Sequence, residues 1–323
     1  MIQFLWDLFY SGEAITKEVH ALCEANPAFL CGSTNTSWGG KYEHTGDSFI
    51  YPSTWWFAHP APLLFERLKR VSLNHAFASY HNPRKHGFVY KHLKQPLLLT
   101  ITSSLNRFED LDWSSVHYVV VENPSALDSV PTPRKKVIMP FVDSAYFKAL
   151  EAPSEFKALS LSSPANAGDV EGKGVKLFKE ACRDSGVKGE LVMRSAFGES
   201  STNEVHLTEG FVNPIFYFSK TSVTVTVFPD ARVGKSVPQS ALESLASNRP
   251  IVVGEDSGLR DVVEEYHCGL AVEKTVSAVA GALEEIKGNY GFFRENCRRV
   301  AEAFFSKKRF VDSYARVYKE MRK

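Results

Sequence analysis

The feature that most restricts what this chain can fold into is a regular alternation. Short apolar runs are separated by amphipathic stretches with helical periodicity. The predicted strands are IQFLW (2–6), FASY (77–80), PLLLTIT (96–102), HYVVVE (117–122) and KVIMP (136–140), followed by KALSLS (157–162), ELVMRS (190–195), VTVTVF (223–228) and IVVG (251–254). Most show no strict polar/apolar alternation, as expected of strands covered on both faces of a parallel sheet. Between them lie GEAITKEVHALCEAN, PLLFERLKRVSL, KGVKLFKEACRDSG, SALESLAS, LRDVVEEY and TVSAVAGALEEIKG, each patterned as a helix. Strand–helix alternation predicts an α/β fold with parallel sheets. With 323 residues the chain is long enough for two such domains. The proline-rich passage PTPRKKVIMPFVDSAYFKALEAPSE marks the join.

Composition excludes several classes. Charged residues are 23% and hydrophobic ones 44%, which is globular and not disordered. A net charge of +1 gives the whole molecule no electrostatic case for nucleic acid. Cys23, Cys31, Cys182, Cys268 and Cys297 are an odd number without a CxxC pair. That argues against a disulfide framework or a zinc site and fits a reducing, cytoplasmic compartment. The first residues, MIQFLWDLFYSGE, lack the basic start of a secretory signal. No run of 18 apolar residues is present to span a membrane.

The stretch KSVPQSALESLASNRPIVVG (235–254) carries the most chemistry. Ser236 followed by Gln239 reads as a capping box, with Pro238 in the first turn. This predicts a helix from residue 236, just after strand VTVTVF. Its positive end would suit a phosphate group, and ligands of open α/β sheets sit beyond the carboxyl ends of strands. Glu243 falls about two turns in, and a carboxylate there suits a pair of ribose hydroxyls.

With these residues in view, FPDARVGKSVPQSALESLASNRPIVVGEDSGLRDVVEEYHCGLAVE resembles the donor-binding segment of retaining GT-B glycosyltransferases, the family 4 group. Phe228-Pro229, Leu242-Glu243-Ser244-Leu245-Ala246, Pro250-Ile251-Val252-Val253 and Gly269-Leu270-Ala271-Val272 stand in that family's order and spacing. KVIMPFVDSAYF (136–147), KGVKLFKEACRDSG (173–186) and FFSKKRFVDSYARVYKE (304–320) resemble its interdomain passage, its Lys-Gly helix and its terminal crossing helix. The resemblance covers roughly residues 136–323.

It implies two Rossmann-like domains facing across a cleft. The first would span 1–144 with a crossing helix from 306–323, and the second 145–305. A nucleoside-diphosphate sugar would bind chiefly to the second domain, and an acceptor to the first. The resemblance puts Glu243 on the ribose, the N–H groups around Ser236 and Val237 on the diphosphate, and Lys173 on the leaving group. No metal or further cofactor is implied. The chain departs from the family at two places. Lys235 stands eight positions before Glu243, where the family has a sugar-contacting Glu, and Ser162 or Ser163 stands where it has an Arg. Lys235 either restores the missing positive charge, meets an acidic sugar, or marks loss of catalysis.

In the first half, His81, just past FASY, is the leading catalytic candidate, with His75 and His86 as alternatives. Gly12 stands where the family has a Gly-rich turn that helps hold the donor. Between Phe65 and Pro96 the basic residues 67, 69, 70, 84, 85, 91 and 94 face one acid, Glu66. They lie near the aromatic segment YPSTWWFAHP (51–60). Such a face suits an anionic membrane, placing the chain at the inner membrane surface, or a nucleic acid, or an acceptor sugar. The bland reading is a core cluster beside a solvated helix. The leading expectation is transfer of a sugar, with retention, to a glycan, a lipid-linked sugar or a modified nucleic acid base. A non-catalytic sugar-nucleotide binder and a nucleotide-sugar epimerase of the same architecture are the alternatives.

Overall fold

The computed structural model describes residues 1–6, 14–34, 47–52, 58, 60–78, 86–230 and 235–323. Contacts divide the chain into two compact units, Met1–Pro140 with Lys307–Lys323, and Phe141–Ser306.

The first unit runs β1 (Ile2–Trp6), α1 (Ala14–Ala25), β2 (Ala28–Thr34), β3 (Ser48–Pro52), α2 (Ala61–Leu68), β4 (Leu73–Ala78), α3 (Phe88–His92), β5 (Leu97–Ile101), β6 (Tyr118–Val121) and β7 (Lys135–Val137). Its sheet is ordered β3-β2-β1-β4-β5-β6-β7 with every pairing parallel. β4, β5 and β6 are buried throughout, which explains why β5 and β6 read as nearly continuous apolar runs, whereas Asn74 and His75 interrupt β4, and the predicted FASY overlaps only its last two residues. Ala76, Ala78, Leu97 and Leu99 pack with Val89 and Tyr90 of α3 and with Leu63 and Phe65 of α2. The intervening residues His75, Phe77 and Thr100 carry the opposite face.

That opposite face receives the C-terminal helix, α11 (Lys307–Met321, numbered after the second unit's helices), which buries Phe310, Tyr314, Val317, Tyr318 and Met321. The helical spacing in the sequence predicts this stripe. The seal is polar as well as apolar. His75 Nδ1 lies 2.8 Å from Tyr318 Oη, its Nε2 lies 2.8 Å from Thr100 Oγ1, and Tyr314 Oη is 2.9 Å from the same Thr100 oxygen. Full burial holds the His75 imidazole well below its usual pKa and the Tyr314 and Tyr318 phenols well above theirs.

The second unit runs β8 (Lys157–Ser162), α4 (Asp169–Gly172), α5 (Val175–Ser185), β9 (Lys188–Met193), β10 (Val205–Glu209), α6 (Pro214–Lys220), β11 (Val223–Thr226), α7 (Gln239–Ala246), β12 (Ile251–Gly254), α8 (Arg260–Tyr266), β13 (Gly269–Val272), α9 (Val276–Gly288) and α10 (Tyr290–Phe304). Its sheet, β10-β9-β8-β11-β12-β13, is again all parallel. In both sheets the strand order reverses beside the first strand, between β1 and β4 and between β8 and β11. That reversal opens a crevice at the carboxyl ends of the strands. Arg249 is fully buried and donates to the carbonyls of Phe218 (2.9 Å) and Leu150 (3.2 Å). Arg294 donates to Leu150 O (2.8 Å) and Arg298 to Ser144 O (2.9 Å). Three guanidinium groups therefore fix residues 144–150 onto the second unit.

Candidate functional site

The site builds up around the β8/β11 reversal. β8 ends at Ser162 and β11 at Thr226, and both side chains are buried. Among the described residues, Ser162 Oγ and Thr226 Oγ1 have no hydrogen-bond partner. Buried hydroxyls left this way are costly, and both stand at the strand ends where ligands of such sheets bind.

Lys173 follows α4 directly. Its Nζ lies 5.1 Å from the centre of the Phe228 ring, two residues past the end of β11. The next residue explains why the backbone comes so close. Gly174 has φ +74, and a Cβ there would stand 2.3 Å from the Val227 carbonyl oxygen. Only glycine accepts both the left-handed backbone and that contact. The Gly172 carbonyl in turn accepts from Asp230 N at 3.3 Å. The Lys-Gly pair is thus seated against the residues leaving β11.

Past β11 the structure corrects the capping reading. α7 begins at Gln239, its N-cap is Pro238 with extended ψ of 129, and no side chain caps it. Val237 precedes proline, which disfavours helical backbone there, and the helix starts past it rather than at Ser236. The Ser236 carbonyl instead accepts from Gly258 N (2.9 Å) and Ser257 Oγ (3.3 Å), in the turn after β12. Gln239 makes no box either, because its Nε2 donates to Phe141 O at 3.1 Å. Ala241 N and Leu242 N both turn back to Pro238 O. By helix geometry the N–H groups of Gln239 and Ser240 face out of the positive end.

Glu243 lies four residues after Gln239, one turn into α7 rather than two, and it is buried. Its neighbour Ser244 donates to Thr224 Oγ1 of β11 at 2.8 Å, which locks the helix to the strand. Lys235 is half-buried and Val237 fully buried. The expected residues Lys173, Lys235, Ser236, Val237 and Glu243 therefore lie on the segments that follow α4 and β11. Sequence reasoning missed Ser162 Oγ and Thr226 Oγ1 as unsatisfied groups, because a hydroxyl in a strand reads as an ordinary β-former.

On the first unit, His81 and Gly12 lie outside the described residues, as do Trp55 and Trp56. His75 is corrected as a catalytic alternative. It sits inside β4, wholly buried and committed to Tyr318 and Thr100. His86 is buried and stacked on Tyr90, with centroids 5.8 Å apart. No group of three or more His, Cys, Asp or Glu among the described residues is arranged to hold a metal ion.

No family model matches the chain, and no curated protein matches it in sequence. Solved structures do match. A sucrose-phosphate synthase from Thermosynechococcus elongatus has a TM-score of 0.70 at 13% identity, covering 99% of this chain and 98% of its own. A glycosyltransferase from Rickettsia africae ESF-5 has 0.71 at 12% identity, covering 99% and 98%. Anabaena HepE in complex with UDP-glucose has 0.72 at 13% identity, covering 99% of both chains. The chain thus shares the two-sheet GT-B architecture of these solved structures.

Proposed function

We propose that this chain is a retaining glycosyltransferase that moves a sugar from a nucleoside-diphosphate sugar to an acceptor. One observation carries the reading. A lysine seated by a left-handed glycine, an outward-facing helix start and a buried glutamate follow two adjacent strands, at the sheet reversal of a fold shared with a UDP-glucose-bound protein.

In this reading the Gln239 and Ser240 N–H groups accept the diphosphate at the start of α7. Glu243 accepts hydrogen bonds from the ribose hydroxyls. Lys173 carries positive charge beside the departing phosphate, so charge that develops there is neutralised without a metal. Lys235, at the entrance to α7, restores the cation missing where Ser162 or Ser163 stands in place of arginine. The Ser162 and Thr226 hydroxyls gain partners when the donor fills the site. The acceptor, a glycan, a lipid-linked sugar or a modified base, would be placed by the first unit, with His81 as the acid–base candidate.

The test is product analysis with purified protein, a panel of nucleotide sugars and candidate acceptors. Transfer with the donor's anomeric configuration kept supports the reading. Hydrolysis-free binding alone marks a sugar-nucleotide binder, and donor rearrangement marks an epimerase; either result overturns it. Lys173→Ala should lower turnover by about 10²–10³-fold. Lys235→Ala should weaken donor binding or turnover, and unchanged kinetics would remove Lys235 from the account.

A further inference from the structure

One surface of the first unit combines apolar side chains with positive charge. In α2, Pro62 and Glu66 are buried, while Leu64, Arg67 and Leu68 are exposed. Leu64 and Leu68 lie about 40° apart around the helix, on the side away from Glu66. In α3, Val89 and Tyr90 are buried, while Phe88, Lys91 and His92 are exposed. α2 packs beside α3, and the two cover the same sheet face. Leu64, Leu68 and Phe88 are 56%, 64% and 51% exposed, which is high for large apolar residues standing in one layer.

The charges on this layer are one-sided. Glu66 is the only acid between Asp47 and Glu109. It is turned inward, accepting from Lys94 N (2.9 Å), Gln95 N (2.8 Å) and Asn74 Nδ2 (2.7 Å). Asp47 pairs with Lys69 at 2.7 Å, and Asp112 lies within electrostatic reach of Lys91. Arg67 and Arg70, in and just after α2, and Lys94, just after α3, are exposed.

We propose that the α2–α3 surface docks on an anionic lipid bilayer. Leu64, Leu68 and Phe88 enter the headgroup layer, and Arg67, Arg70 and Lys94 meet lipid phosphates. Exposed leucines select this partner over a nucleic acid, whose backbone needs the cations and whose bases stack on aromatic rings, not on aliphatic chains. The inference goes beyond the transferase reading and does not rest on it, because binding is measured without donor.

The full chain is floated with vesicles of phosphatidylcholine alone and of phosphatidylcholine with phosphatidylglycerol. Binding is expected only with phosphatidylglycerol and is weakened by added salt. Arg67→Gln and Lys94→Gln should each weaken it about fivefold, and Leu64→Ser with Leu68→Ser by roughly tenfold or more. All are surface changes, so melting temperatures should hold. If the double leucine variant fails to fold, Phe88→Ser and the two charge variants carry the test. Absence of vesicle binding at low salt overturns the proposal. So does equal binding to neutral vesicles. Binding to vesicles and single-stranded RNA alike, with no sensitivity to the leucines or Phe88, overturns it in favour of a general polyanion surface.

Discussion

Gly174→Ala separates backbone strain from the close contact that seats Lys173. Gly174 has φ +74, and Gly186, at the end of the same helix α5, has φ +62. Both are left-handed, so alanine at either costs about 1–2 kcal/mol. Their surroundings differ. A Cβ at 186 meets nothing within 4 Å, whereas at 174 it meets the Val227 carbonyl oxygen at 2.3 Å and Pro229 Cδ at 3.3 Å. Real Cβ contacts essentially never fall below 3.0 Å, so the 174 backbone or the end of β11 must move by at least 3.0 − 2.3 = 0.7 Å. Such overpacking adds about 1–3 kcal/mol. Gly174→Ala should therefore cost roughly 2–5 kcal/mol against about 1–2 for Gly186→Ala. At about 2–4 °C per kcal/mol for a domain of this size, the melting of the second unit should fall by roughly 10 °C in the first variant and about 4 °C in the second. Differential scanning calorimetry of the full chain reads both. A shift of this size in Lys173 should also lower turnover by about 10²-fold. Equal melting shifts for the two variants would refute the contact argument.

Three other outcomes follow from the packing. His75 is neutral in the folded chain and its pKa is depressed by burial, so its stabilisation is complete above its unfolded pKa of about 6.5 and is lost as pH falls below it. Chemical denaturation should lose up to about 1.4 kcal/mol per pH unit in that range relative to His75→Gln, and parallel pH profiles would contradict this. Arg249→Met removes the guanidinium donor to the Phe218 carbonyl and one of the two donors to the Leu150 carbonyl, and should destabilise the second unit by about 3–5 kcal/mol, read as a lower denaturant midpoint. Thr275 caps α9 by accepting from Ala278 N at 3.2 Å, so Thr275→Ala should cost about 1 kcal/mol in the same assay.

Most central parallel strands were legible because burial on both faces makes them apolar, but β2 was missed and FASY caught only the last two residues of β4, whose Asn74 and His75 interrupt the apolar run. KALSLS and IVVG mark β8 and β12 to the residue. Edge strands were not. VHLTE of β10 is buried only at its first residue, and SFIYP of β3 ends in a proline that an edge position tolerates. The stripe of α10, Phe293, Cys297, Val300 and Ala301, has helical spacing and was present in the sequence but passed over. The start of α7 was also readable. Proline biases the residue before it against helix, and that rule moves the start from Ser236 to Gln239. Arg249, in the turn-like SNRP, gave no sign of burial, since its carbonyl partners at 150 and 218 come together only in the folded unit. Residue roles at the candidate site came from the resemblance. Periodicity alone marks Glu243 as one more helix residue.

In the proposed function a nucleoside diphosphate seats its phosphates at the start of α7 and its ribose on Glu243. A crystal structure of the chain soaked with UDP-glucose, alongside calorimetric titration of the parent and Glu243→Ala, measures this directly. Diphosphate density is expected beside the N–H groups of Gln239 and Ser240, with an affinity about 10–100-fold weaker in the variant. Nucleotide bound elsewhere on the chain, or equal affinities with and without the Glu243 carboxylate, would contradict it.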